Sequence, residues 1–481
     1  MKNIIKSCIL GTALLAFSCN EELLSPIPPT TFSETVVFET QDRIDQVLDG
    51  LYSSLKNGQF LGGRYFVYND IRADEFSNRT TNGVTGLSTW QHTTVSTTNE
   101  VVNLWSTAYL LINRANIFID AMQNTTVVSG EIASEYIAQA RFLRGISYYY
   151  LLQLYAQPYN KDNGASPGVP LRLQPELNNG NNDLARSSVA EVYTQILSDL
   201  DFAELNLSAD RGSAYSNTTK AHKNSAIAFK TRVYLAMGNY ASVVTEANKI
   251  VSESAPFVAA SGVPHALQPT VAAVFSAPYT TSESIFSMPF TELNLPGTQN
   301  GLGSYYNPGP RGIGDYSLNM VSGVFTTDVF VPGQDSRASW MFAHPTNGFT
   351  YLNKFPTGPQ HLDFAPVIRY AEVLLNLSEG LVRSGGDNAR ALALLNAVRT
   401  RSNPAGAYAA FGSQEAFVSA ILNERRLELV GEGFRSVDLL RNGMTIPGKE
   451  NVQPVPPTSV NYIWPISSNE LLFNKLMTPN D

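Results

Sequence analysis

Apolar residues return every three or four positions through most of this chain, and that spacing predicts helices. From Gln41 to Lys56, the residues Ile44, Val47, Leu48, Leu51 and Leu55 share one face. The same period runs through Asn99 to Gln123, Glu131 to Tyr155, Val189 to Leu205, Lys220 to Ser252, Ile368 to Ser384, Asn388 to Arg401 and Gln414 to Val430. Two segments lack it. Ser77 to Thr98 is rich in Thr, Ser, Asn and Gly, and Ala255 to Phe364 in Gly, Pro and aromatics. Both read as loop-rich excursions with short strands, carried on a helical scaffold. Loops of this length in a compact domain are usually functional or disordered, and the aromatic content favours function.

An internal repeat gives the scaffold a plan. Ser225 to Val251 looks like a tetratricopeptide helix pair, with small Ala226 and Ala236, Gly238 and Tyr240 at the turn, and Ala247 in the second helix. Residues 371–401 repeat it, with Gly385 and Gly386 at the turn and Leu381 and Leu395 packing across it. One such pair cannot bury its apolar face alone, so the pairs should stack. The expected fold is mainly α, a tetratricopeptide-like α-α superhelix with long loop-rich insertions. It forms a single domain over 41–481, with scaffold at 41–254 and 365–481 and the insertion at 255–364.

The first residues speak to compartment. Lys2 and Lys6 precede a short apolar run from Ile9 to Phe17, too short to span a bilayer, and this reads as a signal peptide over 1–18. Ala16-Phe17-Ser18-Cys19 reads as a lipobox, with Ala16 in place of the usual Leu, so Cys19 is the expected lipid attachment point. Residues 19–40, with Pro26, Pro28 and Pro29, read as a tether. The other cysteine, Cys8, falls in the removed segment, which excludes a disulfide framework from the mature chain. Contact with the membrane is expected through the lipid anchor only.

Charge and motif searches narrow the chemistry. Losing Lys2 and Lys6 takes the formal charge from −8 to −10, and an acidic surface argues against nucleic acid. His92, His222, His265, His344 and His361 are scattered without helix-neighbour spacing or a nearby thiol, so neither a metal site nor a cofactor is expected. Gly443 to Lys449 has phosphate-loop spacing, but Glu450 stands where a Ser or Thr is needed, and the segment follows a helix; it reads as a turn. No Gly-x-Ser-x-Gly elbow occurs.

Several segments then occur in a telling order: Leu104-Trp105 to Asn113-Arg114-Ala115-Asn116; Ala140-Arg141-Phe142-Leu143-Arg144-Gly145 running into Tyr148-Tyr149-Tyr150; and Arg369-Tyr370-Ala371-Glu372-Val373-Leu374-Leu375. Leu395 to Arg401 follows, then Glu424-Arg425-Arg426-Leu427-Glu428-Leu429 with Gly431 to Arg435, Asp438 to Arg441, and Trp464-Pro465-Ile466 with Glu470. From about residue 100 onward the chain resembles the SusD/RagB family of nutrient-binding outer-membrane lipoproteins. It departs at Ser378 and Gly380, where that family usually has Ala, and at Gly431, where it has a larger residue. Read from the residues alone, the alternating Arg and Glu of 423–441 suit charge-paired helix packing under a partly buried loop, not catalysis.

Sugar rings present apolar faces edged by hydroxyls, so a glycan site needs flat aromatic platforms flanked by Arg and Asn. Trp90 lies in a polar loop with no helix face to bury it, and Tyr305, Tyr306 and Tyr316 lie in a Gly-rich stretch. The expected site is a shallow arc of these rings with Arg79, Asn78 and Asn82 at its edge. Trp105, Tyr148 to Tyr150 and Trp464 are assigned to the core. Asp70, Asp74 and Glu75 are the candidates for a glycosidase acid and base, with Arg72 expected to pair with one of them. The resemblance implies capture without chemistry: an oligosaccharide held for a SusC-like TonB-dependent transporter at the cell exterior. A peptide in place of the sugar, a helical glycoside hydrolase and a purely structural interaction module are the alternatives.

Overall fold

The structure is a computed structural model that describes residues 36–480 apart from 179 and 181. Cys19, the signal segment and the tether up to residue 35 lie outside the described residues. The chain is mainly α, and its helices form where the apolar spacing places them. Helix α1 (Gln41–Leu55) starts at Thr40, whose hydroxyl accepts from the Arg43 amide. It is followed by α2 (Arg64–Arg72), α3 (Asn99–Gln123), α4 (Gly130–Tyr155) and α5 (Val189–Asn206). A reciprocal Ser188–Glu191 capping box starts α5. The repeat appears as α6 (Lys223–Ala236) with α7 (Tyr240–Ala247), and α8 (Tyr370–Arg383) with α9 (Asn388–Ser402). Gly238 and Gly385 take the left-handed conformation that ends the first helix of each pair. Two further helices, α10 (Gln414–Glu428) and α11 (Arg435–Arg441), complete this side.

The pairs stack as their half-apolar faces require. Helix α3 packs on α4, α4 on α5, α5 on α6 and α7 on α8, so helices from both sides of residues 255–364 share one core running from Ile44 to Met477.

Short antiparallel strands decorate this scaffold. Strands β1 (Phe76–Asn78) and β3 (Tyr316–Leu318) pair with Asn78 opposite Tyr316; β2 (Ser284–Met288) pairs with β6 (Ala365–Arg369); β4 (Met341–Ala343) pairs with β5 (Thr350–Leu352), with Phe342 opposite Tyr351. Strand β5 packs against β3, which brings the 341–352 hairpin beside the loop that follows β1. Among the described residues no helix is long and apolar enough to cross a membrane.

Candidate functional site

The structure brings the four expected aromatic residues together and then buries them. Trp90, on a short helix Leu87–Gln91, is 3% exposed and donates its indole N–H to the Phe76 carbonyl at 2.9 Å. Tyr306 stacks on Phe76 at 4.7 Å and gives its hydroxyl to Asp70. Tyr305 stacks on Tyr316, whose hydroxyl donates to the Thr85 carbonyl at 3.0 Å. All three tyrosines are fully buried. The exposed arc expected from these rings is therefore corrected: they are the core beneath the loops. The reason is energetic: each ring carries some 150–250 Å² to be covered, and Trp90, expected in a loop without a helix face, lies on a short helix, as do Tyr305 and Tyr306 on Leu302–Tyr306, while Tyr316 lies on β3. Lys449, arriving from far along the chain, closes over Trp90 with its ammonium 5.3 Å from the ring. That ammonium donates to the carbonyls of Ile71, Arg72 and Ala73 at the end of α2, so the lysine of the phosphate-loop spacing is spent on backbone carbonyls.

The polar candidates lie nearer the surface. Asn78 and Asn82 are half-buried and spend hydrogen bonds on their own loop, Asn78 donating to the Thr80 carbonyl and Asn82 accepting from the Val84 amide. Arg79 reaches outward: its Nε donates to Ser317 Oγ at 2.9 Å, Nη1 pairs with Glu450 at 3.1 Å, and the guanidinium lies 4.0 Å from the centre of the Phe349 ring.

Phe349 leads to a surface that the sequence reading missed. The β4–β5 hairpin places Phe342, His344, Phe349 and Tyr351 around its tip, with Phe342–His344 and His344–Tyr351 centroids each 6.2 Å apart. His344 Nδ1 accepts from the amides of Thr346 and Asn347, and the Asn347 side chain donates to the Tyr351 hydroxyl, so the turn is held from inside. Arg311 covers Phe342 at 4.8 Å and donates to Asn353. Phe349 stays 39% exposed and Phe342 half-buried, with exposed Ile313 near Arg311 in sequence. Rings in contact with guanidinium groups, beside amides and a carboxylate, are the elements a sugar face and its hydroxyls need. The Asn347-Gly348 step among alternating apolar residues was the available signal.

Asp70, Asp74 and Glu75 are all buried. Asp70 accepts from the Gly433 amide and the Tyr306 hydroxyl, and burial drives its pKa well above the usual carboxylate range. Asp74 binds Arg426 and Arg435, each at 2.9 Å; burial opposes its ionisation, but the two guanidinium groups outweigh it and hold the pKa low. Glu75 pairs with Arg426 and accepts from the Val324 amide, yet burial leaves its pKa raised. Arg72 pairs with neither, a correction: it donates to the Tyr462 carbonyl at 2.7 Å. Each carboxylate is thus held by partners within the core and not directed at a cavity.

A profile described as starch-binding associating with outer membrane matches residues 24–235, and a SusD family profile matches 341–481. The crystal structure of a SusD superfamily protein from Bacteroides fragilis superposes with TM-score 0.83 at 33% identity, covering 92% of this chain and all of that one. The chain belongs to the SusD superfamily. A SusD-like protein, P25, from Formosa agariphila is 23% identical over 98% of each chain. The surface glycan-binding protein A of Bacteroides thetaiotaomicron shares the fold, with TM-score 0.73 at 18% identity over 92% of this chain and all of that one.

In this SusD-superfamily chain the charged segments hold the hairpin to the scaffold, as the alternation of Arg and Glu implied. Arg337 binds Asp335 and Glu424, Arg369 binds Glu283 and Glu432, and Arg401 binds Glu283 and Glu428. Lys354, two residues after β5, donates to Glu432 and to the carbonyls of Glu428 and Val430. Burial opposes ionisation of Glu428, but Arg401, Arg369 and Arg337 overcome it and bring its pKa to about 2. Of the departures from the family pattern, Ser378 donates its hydroxyl to the Ala391 carbonyl at 2.8 Å, and the two glycines are steric. A Cβ on Gly380 would stand 3.0 Å from Val243 across the α7–α8 contact, and one on Gly431 would stand 2.4 Å from Leu352 of the hairpin.

Proposed function

We propose that this protein captures an oligosaccharide on the hairpin surface and hands it to a SusC-like TonB-dependent transporter without cleaving it. The observation that carries the reading is the exposed Phe349 ring under the Arg79 guanidinium, continued by Phe342 under Arg311. Of the ligand-contact residues expected from the sequence, Arg79 remains in this role. Asn78 and Asn82 shape its loop, and the buried rings support the floor. Family membership supports the compartment: the matched profile describes association with the outer membrane, to which Cys19 would tether the chain from outside. The Bacteroides thetaiotaomicron neighbour, a surface glycan-binding protein, supports a sugar ligand.

Stacking on an aromatic ring is worth on the order of 1 kcal/mol, so Phe349 and Phe342 supply only part of an affinity of roughly −4 to −8 kcal/mol, millimolar to micromolar, and hydrogen bonds to the sugar hydroxyls supply the rest. Calorimetry on the mature chain against plant, host and microbial glycans, with peptides in the same panel, tests the reading. Micromolar to millimolar binding of one glycan class, with the sugar recovered intact by chromatography, is the expected result. Binding of peptides alone would remove the sugar, and release of shorter sugars would remove the non-catalytic role.

A further inference from the structure

A second concave surface lies on the helical side, in residues the glycan reading does not use. Between α10, α11 and the ends of α7 and α8 there is a groove of about 550 Å³, a volume in the range of ligand sites. One wall is aliphatic: Val418 and Leu422, one turn apart on α10, face Met444, which is 46% exposed. Arg383 and Arg435 also line it. Arg383 gives Nε to Glu379 and Nη2 to Asn442 and lies 5.2 Å from the Tyr240 ring centre. Arg435 directs Nε and Nη2 at Asp74. The Nη1 group of each makes no hydrogen bond among the described residues.

The charge count beneath the groove is unbalanced. Arg383, Arg425 and Arg441 share only two carboxylates, Glu379 and Asp438, both ionised because burial is outweighed by these guanidinium groups. One positive charge is left over in a chain whose net charge is −8. Arg426 and Arg435, by contrast, face Asp74 and Glu75 two against two. Exposed Glu415, at the rim, is the one carboxylate among the lining residues.

We propose that this groove binds an acidic peptide segment of a protein partner. Spare guanidinium donors in fork geometry recognise carboxylates, and the aliphatic wall takes an apolar side chain beside them. An acidic sugar fits less well, because the wall beside the guanidinium groups is Val, Leu and Met and not a flat ring. The groove uses none of the hairpin residues, so this proposal and the glycan reading can fail separately.

The test uses the mature chain and fluorescein-labelled dodecapeptide pools of Leu, Val, Ala and Gly carrying Glu, Gln or Lys at alternate positions, read by anisotropy. The Glu pool should bind at least about tenfold more tightly than the Gln pool, and this preference should collapse near 1 M salt, where the Debye length is about 3 Å. Arg383→Gln should weaken the Glu pool about tenfold. So should Leu422→Glu, at a half-buried position whose change spares the ion pairs, while Phe349→Ala leaves peptide binding unchanged. Equal binding of Glu and Gln pools, no binding of any pool, or wild-type affinity in the folded Leu422→Glu protein would overturn the proposal. Displacement of the peptide by trigalacturonate at comparable affinity would overturn it in favour of an acidic sugar.

Discussion

Arg79 holds its guanidinium 4.0 Å from the centre of the Phe349 ring, although 270 positions separate the two residues, because β5 packs beside β3 and β3 pairs with β1. The contact fixes an exposed ring that would otherwise turn freely at a hairpin tip. Losing the ring should remove about 1 kcal/mol of ligand stacking. Phe349→Ala is therefore expected to raise Kd for the bound glycan roughly fivefold, with a thermal midpoint within a degree or two of wild type. Arg79→Ala should do the same by freeing the ring and removing a donor. Calorimetry and thermal unfolding on the same samples check both, and unchanged affinity in the two variants would place the ligand elsewhere.

Buried aromatics should behave in the opposite way. Trp90→Ala and Tyr306→Ala each empty a fully packed site, and large-to-small changes of this kind cost about 3–5 kcal/mol. Denaturant unfolding should show that loss, while the fraction still folded binds glycan close to normally. A Trp90→Ala protein of wild-type stability that fails to bind would restore Trp90 as a ligand platform.

The buried ion-pair network gives a further contrast. Glu432 accepts from both Lys354 and Arg369. Replacing Glu432 by Gln leaves two cations facing one another without their shared carboxylate, and breaking a buried pair in this way costs about 3–5 kcal/mol. Because Lys354 follows β5, the hairpin should loosen first, which hydrogen exchange of residues 341–352 would report against helix α4 as reference. Uniform loss of protection across both would show that the network serves the whole fold and not the hairpin in particular.

How much of this was readable beforehand depends on the kind of surface each element buries. Helices that bury one face showed their period, so Asn99 to Gln123 and Asn388 to Arg401 coincide with α3 and α9 to within a residue. Helix α2 was not predicted: it is short, and its polar residues Arg64, Asn69, Asp70 and Arg72 are buried along with its apolar ones, so polarity there does not mark a solvent face. The predicted Lys220 to Ser252 stretch contains two helices split at the Gly238 turn, as its repeat reading allowed. In the loops, composition alone was no guide to exposure. Trp90 sits among Gly, Ser and Thr, yet Lys449, more than 350 positions away, helps cover it, and no local pattern carries that information. Phe349 was legible only through the Asn347-Gly348 turn beside it.

Lipidation is a prediction that rests on the sequence, since Cys19 lies outside the described residues. An alkyne fatty acid fed to cells should label the wild-type chain and leave Cys19→Ala unlabelled. Equal labelling of the two would remove the anchor.

Two stacked histidines, His222 and His265, should contribute stability that is lost as pH drops below about 6.5. His222 and His265 lie with ring centroids 5.3 Å apart, both essentially unexposed. His222 Nε2 faces the Ile285 carbonyl at 3.2 Å and His265 Nδ1 faces the Ser282 carbonyl at 3.0 Å, contacts that assign one ring N–H to each neutral imidazole. Burial pushes His222 down to about 3, with the neighbouring His265 and Arg211 adding to it, and burial likewise pushes His265 down to about 4. In the unfolded chain both titrate near 6.5. Between those values the unfolded state binds protons that the folded state refuses, so stability rises with pH across the window and is lost as pH falls through it. Each histidine contributes a slope of up to about 1.4 kcal/mol per pH unit between roughly pH 6 and pH 4. Below that range the buried carboxylates held at low pKa, Glu428 among them, add their own loss in the same direction. Replacing His265 by Gln, which keeps a donor for the Ser282 carbonyl but cannot take up a proton, should flatten the dependence by about one histidine's slope. Urea unfolding at half-unit steps from pH 4.5 to 7 compares the two proteins. Parallel curves would mean that the His265 ring is protonated in the folded state, and that the stacked pair does not carry the acid sensitivity assigned to it.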